Sequence, residues 1–90
     1  MQVTVWHGPN CPACEAFAPT VAALQAKGWP IRWCDTSQYP AEAQRWQIAA
    51  IPATVIHKGD RVIARLPGTA AIEWVRAVLF LCGVERTLPK

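Results

Sequence analysis

The apolar residues change their spacing several times along the chain, and each change marks an element. Residues 2–6 (Gln-Val-Thr-Val-Trp) are rich in β-branched and aromatic types and predict a strand. Cys14, Phe17, Val21 and Leu24 then recur at intervals of three and four, which predicts a helix over residues 11–27 closed by Gly28. Pro30 suits a strand edge or first position, and Ile31 to Cys34 read as a second strand. Asp35 to Tyr39 carry turn residues, and Pro40 suits the first position of a short helix through about Gln47. Beyond Ile51-Pro52, Ala53 to His57 and Arg61 to Leu66 predict two strands around the hairpin signature Lys58-Gly59-Asp60. Pro67-Gly68 breaks the second of them. Thr69 suits the cap of a last helix whose inner stripe is Ile72, Val75, Val78, Leu79 and Cys82, ending at Gly83.

The resulting order is βαβαββα. The first two strands are expected to lie parallel through a right-handed crossover. The hairpin then adds antiparallel strands, so the expected class is α/β, a four-stranded mixed sheet with helices on both faces. Ninety residues hold one domain, 1–90, and no second. A chain of this mass buries roughly 64 % of its surface on folding, enough for one small core.

Composition narrows the function classes. Hydrophobic residues make up 52 % and charged residues 17 %, with a mean hydropathy of +0.13, which excludes a disordered tail. The longest apolar run, Ala77 to Val84, is far short of the ~20 residues of a membrane span. The chain opens without the basic start and apolar core of a signal peptide, which sets the expectation of a cytoplasmic protein. Nine basic residues against six acidic ones leave a net charge of +3, but they are scattered. A nucleic-acid surface needs a patch or stripe, so the excess reads as a solvated surface with no nucleic-acid partner.

Cysteine changes the picture most. Of four cysteines, two form Cys11-Pro12-Ala13-Cys14. Two cysteines at this spacing at a helix start can close a disulfide within one turn. With Pro12 at the first helical position, Cys11 is the N-cap, and its sulfur faces the unpaired N–H groups of Ala13 and Cys14 and the positive end of the helix dipole. Those donors favour thiolate over thiol and lower the Cys11 pKa below the ordinary value. Cys14, one turn inside on the core face, stays protonated longer. One sulfur attacks and the other resolves, which is the asymmetry of a dithiol–disulfide exchanger. The alternatives are buried structural cysteines, half of a zinc site, or the loop of a small copper carrier. Zinc takes four ligands, and Cys34, Cys82, His7 and His57 stand at no ligand spacing, so no metal is expected. A copper carrier of this kind ends on a strand, whereas this chain is predicted to end on a helix.

These motifs resemble those of the thioredoxin superfamily, over nearly the whole chain. Cys11-Pro12-Ala13-Cys14 is similar to its CxxC site after the first core strand. Pro19 is similar to the proline inside the active-site helix, Ile51-Pro52 to the Ile–cis-Pro element, and Lys58-Gly59-Asp60 to the hairpin turn that follows. Gly68 is similar to the glycine beside the substrate groove. The resemblance implies a thioredoxin fold and a thiol–disulfide oxidoreductase with Cys11 as nucleophile, Cys14 as resolving residue and a redox disulfide between them. It also implies a substrate groove shaped by Ile51, Pro52 and Gly68, and no bound cofactor. The implied partners are disulfide-containing proteins and an electron donor, either a thioredoxin reductase-type enzyme or glutathione. The rival is a thioredoxin-like binding or assembly module in which redox turnover is not required.

Departures from the family sharpen these expectations. Pro-Ala between the cysteines leans toward glutaredoxins. Ala50-Ile51 and Pro67-Gly68 stand where glutaredoxins hold glutathione, which favours the reductase-type donor. Asn10 replaces the tryptophan that precedes the pair in thioredoxins, and Gly8-Pro9 tighten the loop. Val5 stands where thioredoxins bury an aspartate that takes the resolving thiol's proton, leaving that step to solvent bases. Glu15 opposes thiolate formation at the helix start.

The remaining candidates divide by position. Cys34 falls at the active-site edge, as a small packed residue or a regulatory thiol, and Cys82 on the core stripe of the last helix. His7 either sits near Cys11 or simply ends the first strand, and His57 is expected on the surface. Trp46 is expected to pack the short helix on the sheet. Trp74, Ala77 and Leu81 form a second stripe on the last helix, an apolar patch suited to a partner or to a weak dimer.

Overall fold

Alternation along the first strand sends its side chains to two sides of one sheet, and different helices cover the two sides. The computed structural model describes residues 1–69 and 72–86, with Ile72 described by its backbone alone. The elements run β1 (Gln2–His7), α1 (Pro12–Ala26), β2 (Ile31–Asp35), α2 (Pro40–Arg45), β3 (Ala53–Lys58), β4 (Arg61–Pro67) and α3 (Ile72–Leu81). The sheet order is β2-β1-β3-β4. β1 and β2 are parallel, while β3 is antiparallel to both β1 and β4, as the order of elements predicted. The expected cap at Thr69 and the inward place of the Ile72 side chain fall where the structure describes too little to test them.

On one side, Val3 and Val5 of β1, Ile31 of β2 and Ile56 of β3 pack with Phe17, Val21 and Leu24 of α1 and with Val75 and Leu79 of α3. On the other, Trp6, Cys34 and Val55 pack with Ala43 of α2 and Trp46 at its end. Leu24, Ile56, Leu79 and Trp6 lose all contact with solvent, and each aliphatic side chain so buried contributes about 1.5–3 kcal/mol. Arg32 of β2 and Glu42 of α2 form an ion pair at 3.2 Å, and Arg45 pairs with Asp60 of the β3–β4 turn. Both pairs are solvent-accessible, so they orient α2 more than they stabilise it.

All three helices stop in the same way. Gly28 N–H donates to the Gln25 carbonyl and Trp29 N–H to that of Leu24, placing the Trp29 ring in the core. Gln47 and Ile48 close α2 in this pattern, and Gly83 and Val84 close α3. In each case the apolar residue after the turn packs near the last helical turn and satisfies its carbonyls. This closure ends α2 at Arg45 rather than near Gln47, with Gln47 at φ 55°.

His57 corrects the expectation of a surface residue: only 6 % of it is exposed. It does face away from α1, but Trp46 folds over it with ring centroids 4.2 Å apart, and its Nδ1–H donates to the Gly59 carbonyl (3.0 Å). Cys34 is buried beside Trp6, and Cys82 is partly buried against the α1–α3 core, so both serve packing.

Candidate active site

Strand direction alone assembles the site. Parallel β1 and β2 end at one edge of the sheet, antiparallel β3 begins there, and β4 returns to it. Cys11, Cys14, Ile51, Pro52 and Gly68 all lie on loops or element ends at this edge.

Asn10, at φ 55°, turns the chain into α1, and Cys11 occupies the N-cap with Pro12 in the first turn. The Cys14 N–H donates to Cys11 Sγ at 3.1 Å. Of the two amides expected to face that sulfur, this is the one that bonds to it. A disulfide joins Cys11 and Cys14 across one helical turn, with Cα atoms 5.2 Å apart. Cys11 retains 9 % exposure against 3 % for Cys14, so it is the more accessible of the two residues. Glu15 is in the first turn of α1, exposed, and Pro19 lies within the helix.

The loop that delivers Cys11 is pressed against the loop that delivers Pro52. A Cβ on Gly8 would fall 2.8 Å from Ile51 Cδ1 and 3.1 Å from Thr36 Oγ1, so only glycine fits without displacing a neighbour. Thr36 N–H also donates to the His7 carbonyl (2.8 Å), tying the ends of β1 and β2 together. The Ile51–Pro52 peptide bond is cis, Pro52 is buried, and Ile51 is half-buried. Among the described residues no backbone group pairs with the N–H or C=O of Ile51. Gly68 N–H donates to the Pro52 carbonyl at 2.8 Å, which brings the end of β4 to the proline. Gly68 sits at φ +67°, a left-handed conformation that glycine adopts without a steric cost.

Val5 is 1 % exposed within the α1–α3 core, so no carboxylate stands at this position. His7 and Asp35, register partners at the site end of β1 and β2, are ionisable. The His7 ring stacks on Trp33 at 4.2 Å with 15° between planes. Asp35 Oδ1 accepts from the Ser37 N–H (2.7 Å) and from its hydroxyl. The Ser37 hydroxyl and amide hold the Asp35 carboxyl below the usual carboxylate range, with a smaller contribution from the charge of His7. Neither Asp35 nor the His7–Trp33 stack was anticipated. The stack follows from strand register, which no local motif reports.

Away from this edge, Trp74 and Leu81 of α3 are 57 % and 81 % exposed, and Ala77 is exposed between them. Phe80, at 75 %, belongs to the same apolar surface and was not singled out from the sequence. Among the described residues no helix is long and apolar enough to cross a membrane, and no three His, Cys, Asp or Glu side chains gather at metal-binding range.

Solved structures match this architecture. Thioredoxin 1 from the thermophilic eubacterium Thermosipho africanus TCF52B superposes with a TM-score of 0.70 at 16 % identity, over 90 % of this chain and 97 % of that one. A structure described as a malarial protein gives 0.74 at 18 % identity, over 91 % and 96 %. Mitochondrial thioredoxin 3 from Saccharomyces cerevisiae, in its oxidised form, gives 0.69 at 22 % identity, over 88 % and 76 %. No family model and no curated relative matches the sequence. The chain therefore has the thioredoxin fold, with Cys11 and Cys14 at disulfide distance where its first helix begins.

Proposed function

We propose that the protein is a single-domain thiol–disulfide oxidoreductase that reduces disulfides in protein substrates in the cytoplasm. The observation that carries this reading is the Cys11–Cys14 disulfide at the N-terminus of a 15-residue helix, with a helix amide on the Cys11 sulfur. In the reduced protein that amide and the helix dipole stabilise a Cys11 thiolate. The thiolate attacks a substrate disulfide, forming a mixed disulfide and releasing the first substrate thiolate. Cys14 then attacks the Cys11 sulfur and releases the second. Two electrons pass from the dithiol to the substrate, and the Cys11–Cys14 disulfide is left behind.

Ile51, Pro52 and Gly68 would line the groove. The unpaired main-chain groups of Ile51 suit an extended substrate backbone that adds as a strand, a mode that reads main chain more than side chains. Recycling is assigned to a thioredoxin reductase-type donor in preference to glutathione, and no cofactor is required. The test is insulin-disulfide reduction with each donor in turn. We expect activity with the reductase, none for Cys11→Ser, and a mixed disulfide trapped on Cys11 in Cys14→Ser. An adduct on Cys14 in Cys11→Ser would reverse the two roles, and efficient turnover with glutathione would overturn the donor assignment.

The exposed Trp74, Phe80 and Leu81 favour a second reading of one surface, a docking face for a partner or a second copy, which is also what an assembly module would need.

A further inference from the structure

We propose that His7 accepts the proton of the Cys14 thiol when the mixed disulfide is resolved, and that Asp35, its register partner, is the positioning residue whose charge stabilises the imidazolium. This rests on the dithiol reading above and supplies a step that reading leaves to solvent.

The argument begins with parity along β1. Val3 and Val5 pack against Phe17, Val21 and Leu24 of α1, so His7, two residues on, is the last position on the same side. The stacking partner of its ring confirms this, because Trp33 is the register partner of Val5. Cys14 is the first member of the buried α1 stripe that continues through Phe17, Val21 and Leu24. β1 runs toward the site and α1 runs away from it. The last inner residue of the strand and the first inner residue of the helix therefore lie at the same end and on the same side of the sheet, and the loop between the two elements includes Gly8-Pro9-Asn10.

Among the described residues no other group in this region is suited to the task. Val5 is enclosed in hydrocarbon, and the neighbouring inner positions on β3 and β4, Thr54 and Leu66, carry no charge. The titratable groups around His7 are Asp35 on β2 and, at the start of α1, Cys11, Cys14 and the exposed Glu15. Asp35 is pinned by both Ser37 donors and is kept ionised by them. An ionised carboxylate opposite an imidazole stabilises the imidazolium that forms when a thiol gives up its proton. The flat stack on Trp33 keeps the ring from swinging away.

The step balances within the protein and its substrate. Cys14 Sγ–H passes its proton to an imidazole nitrogen of His7, and the Cys14 sulfur bonds to the Cys11 sulfur. The bond between Cys11 and the substrate sulfur breaks, and its electron pair leaves on the substrate thiolate. The imidazolium returns the proton to that thiolate, or to water where the thiolate stays ionised.

The reaction of the reduced protein with 5,5′-dithiobis(2-nitrobenzoate) separates the two steps, since Cys11 attack releases one thiolate and resolution releases a second. Followed by stopped flow, the second release of the wild type should show an inflection with pH, the mark of a step that needs a neutral base. His7→Phe, which keeps an aromatic ring on Trp33, should lose the inflection and slow the second release at pH 7 on the order of 10²-fold, with the first release little changed. His7→Gln should behave alike and carries the test if His7→Phe does not fold. Asp35→Asn should slow the second release at pH 7 and leave the first little changed, because the imidazolium formed in that step loses its counter-charge. An unchanged profile in both His7 variants, or equal slowing of both releases with the inflection retained, overturns the proposal. Release of a single equivalent by the wild type overturns the dithiol reading itself.

Discussion

Gly8 and Ile51 are in contact across the candidate active site: a Cβ on Gly8 would stand 2.8 Å from Ile51 Cδ1. The loop that presents Cys11 and the loop that presents Pro52 are therefore set against each other by the absence of a side chain. The atom in the way is the tip of a half-buried side chain, which can move aside at small cost in stability. Gly8→Ala should accordingly lower stability by only about 1 kcal/mol, the lower end of overpacking costs, while displacing Ile51 in the groove. Insulin reduction should fall several-fold more than reduction of a small aromatic disulfide. Equal effects on the two substrates would mean that Ile51 does not contact the protein substrate.

Accessibility and the amide contact both favour Cys11 as the reactive sulfur. In the reduced protein iodoacetamide should label Cys11 before Cys14 at neutral pH, as read by mass spectrometry of peptides. Glu15 sits exposed in the same turn and opposes the helix dipole. Glu15→Lys should lower the Cys11 pKa, measured from thiolate absorbance against pH, while weakening the helix by about 0.3–1 kcal/mol. A pKa that stays or rises would mean that the helix amides alone govern the thiolate.

Val5→Asp places a carboxylate in a cluster of hydrocarbon side chains. An unpaired charge there costs several kcal/mol, so the urea midpoint should fall sharply near neutral pH and recover in part under acid, where the carboxyl is neutral. Faster resolution in the same variant, despite the lost stability, would show that proton removal from Cys14 limits the parent.

The carboxyl of Asp35 is held low in the folded chain by Ser37, so it stabilises the fold only when ionised. Its contribution is complete above the unfolded-state value of about 3.9 and is lost as pH falls through the lower folded-state value. The stability difference between wild type and Asp35→Asn should be constant above about pH 5 and shrink below about pH 4. Thermal melts at a series of pH values check this. A difference that persists at pH 2 would assign the role of Asp35 to something other than its charge.

The apolar face of α3 predicts concentration-dependent self-association or capture of a partner. Leu81→Glu together with Phe80→Glu changes only exposed positions, so the melting temperature should hold. Any dimer seen by analytical ultracentrifugation in the wild type should dissociate.

The order of elements, the N-cap Cys11 followed by Pro12, and the helix stops at Gly28 and Gly83 were legible because each depends on a few adjacent residues. Periodicity also assigned the inner face of α1 correctly, since a helix carrying Cys14, Phe17, Val21 and Leu24 on one side has a single way to bury them. The paired ends of β1 and β2 followed from the parallel crossover that the order of elements implied, whereas Pro52 and Gly68 were expected beside Cys11 from the family resemblance. What the sequence left open were facts that need two distant segments at once. His57 lies in an alternating strand and is buried only because Trp46 arrives from α2 to cover it. Phe80 belongs to an apolar run that looks uniformly internal until the sheet takes up Val75 and Leu79 and leaves Phe80 exposed. The Gly8–Ile51 contact and the His7–Trp33–Asp35 arrangement depend on loop closure and strand register. Local patterning states which residues avoid water, but only the packed chain decides which of them find cover and which polar groups are left beside the sulfurs.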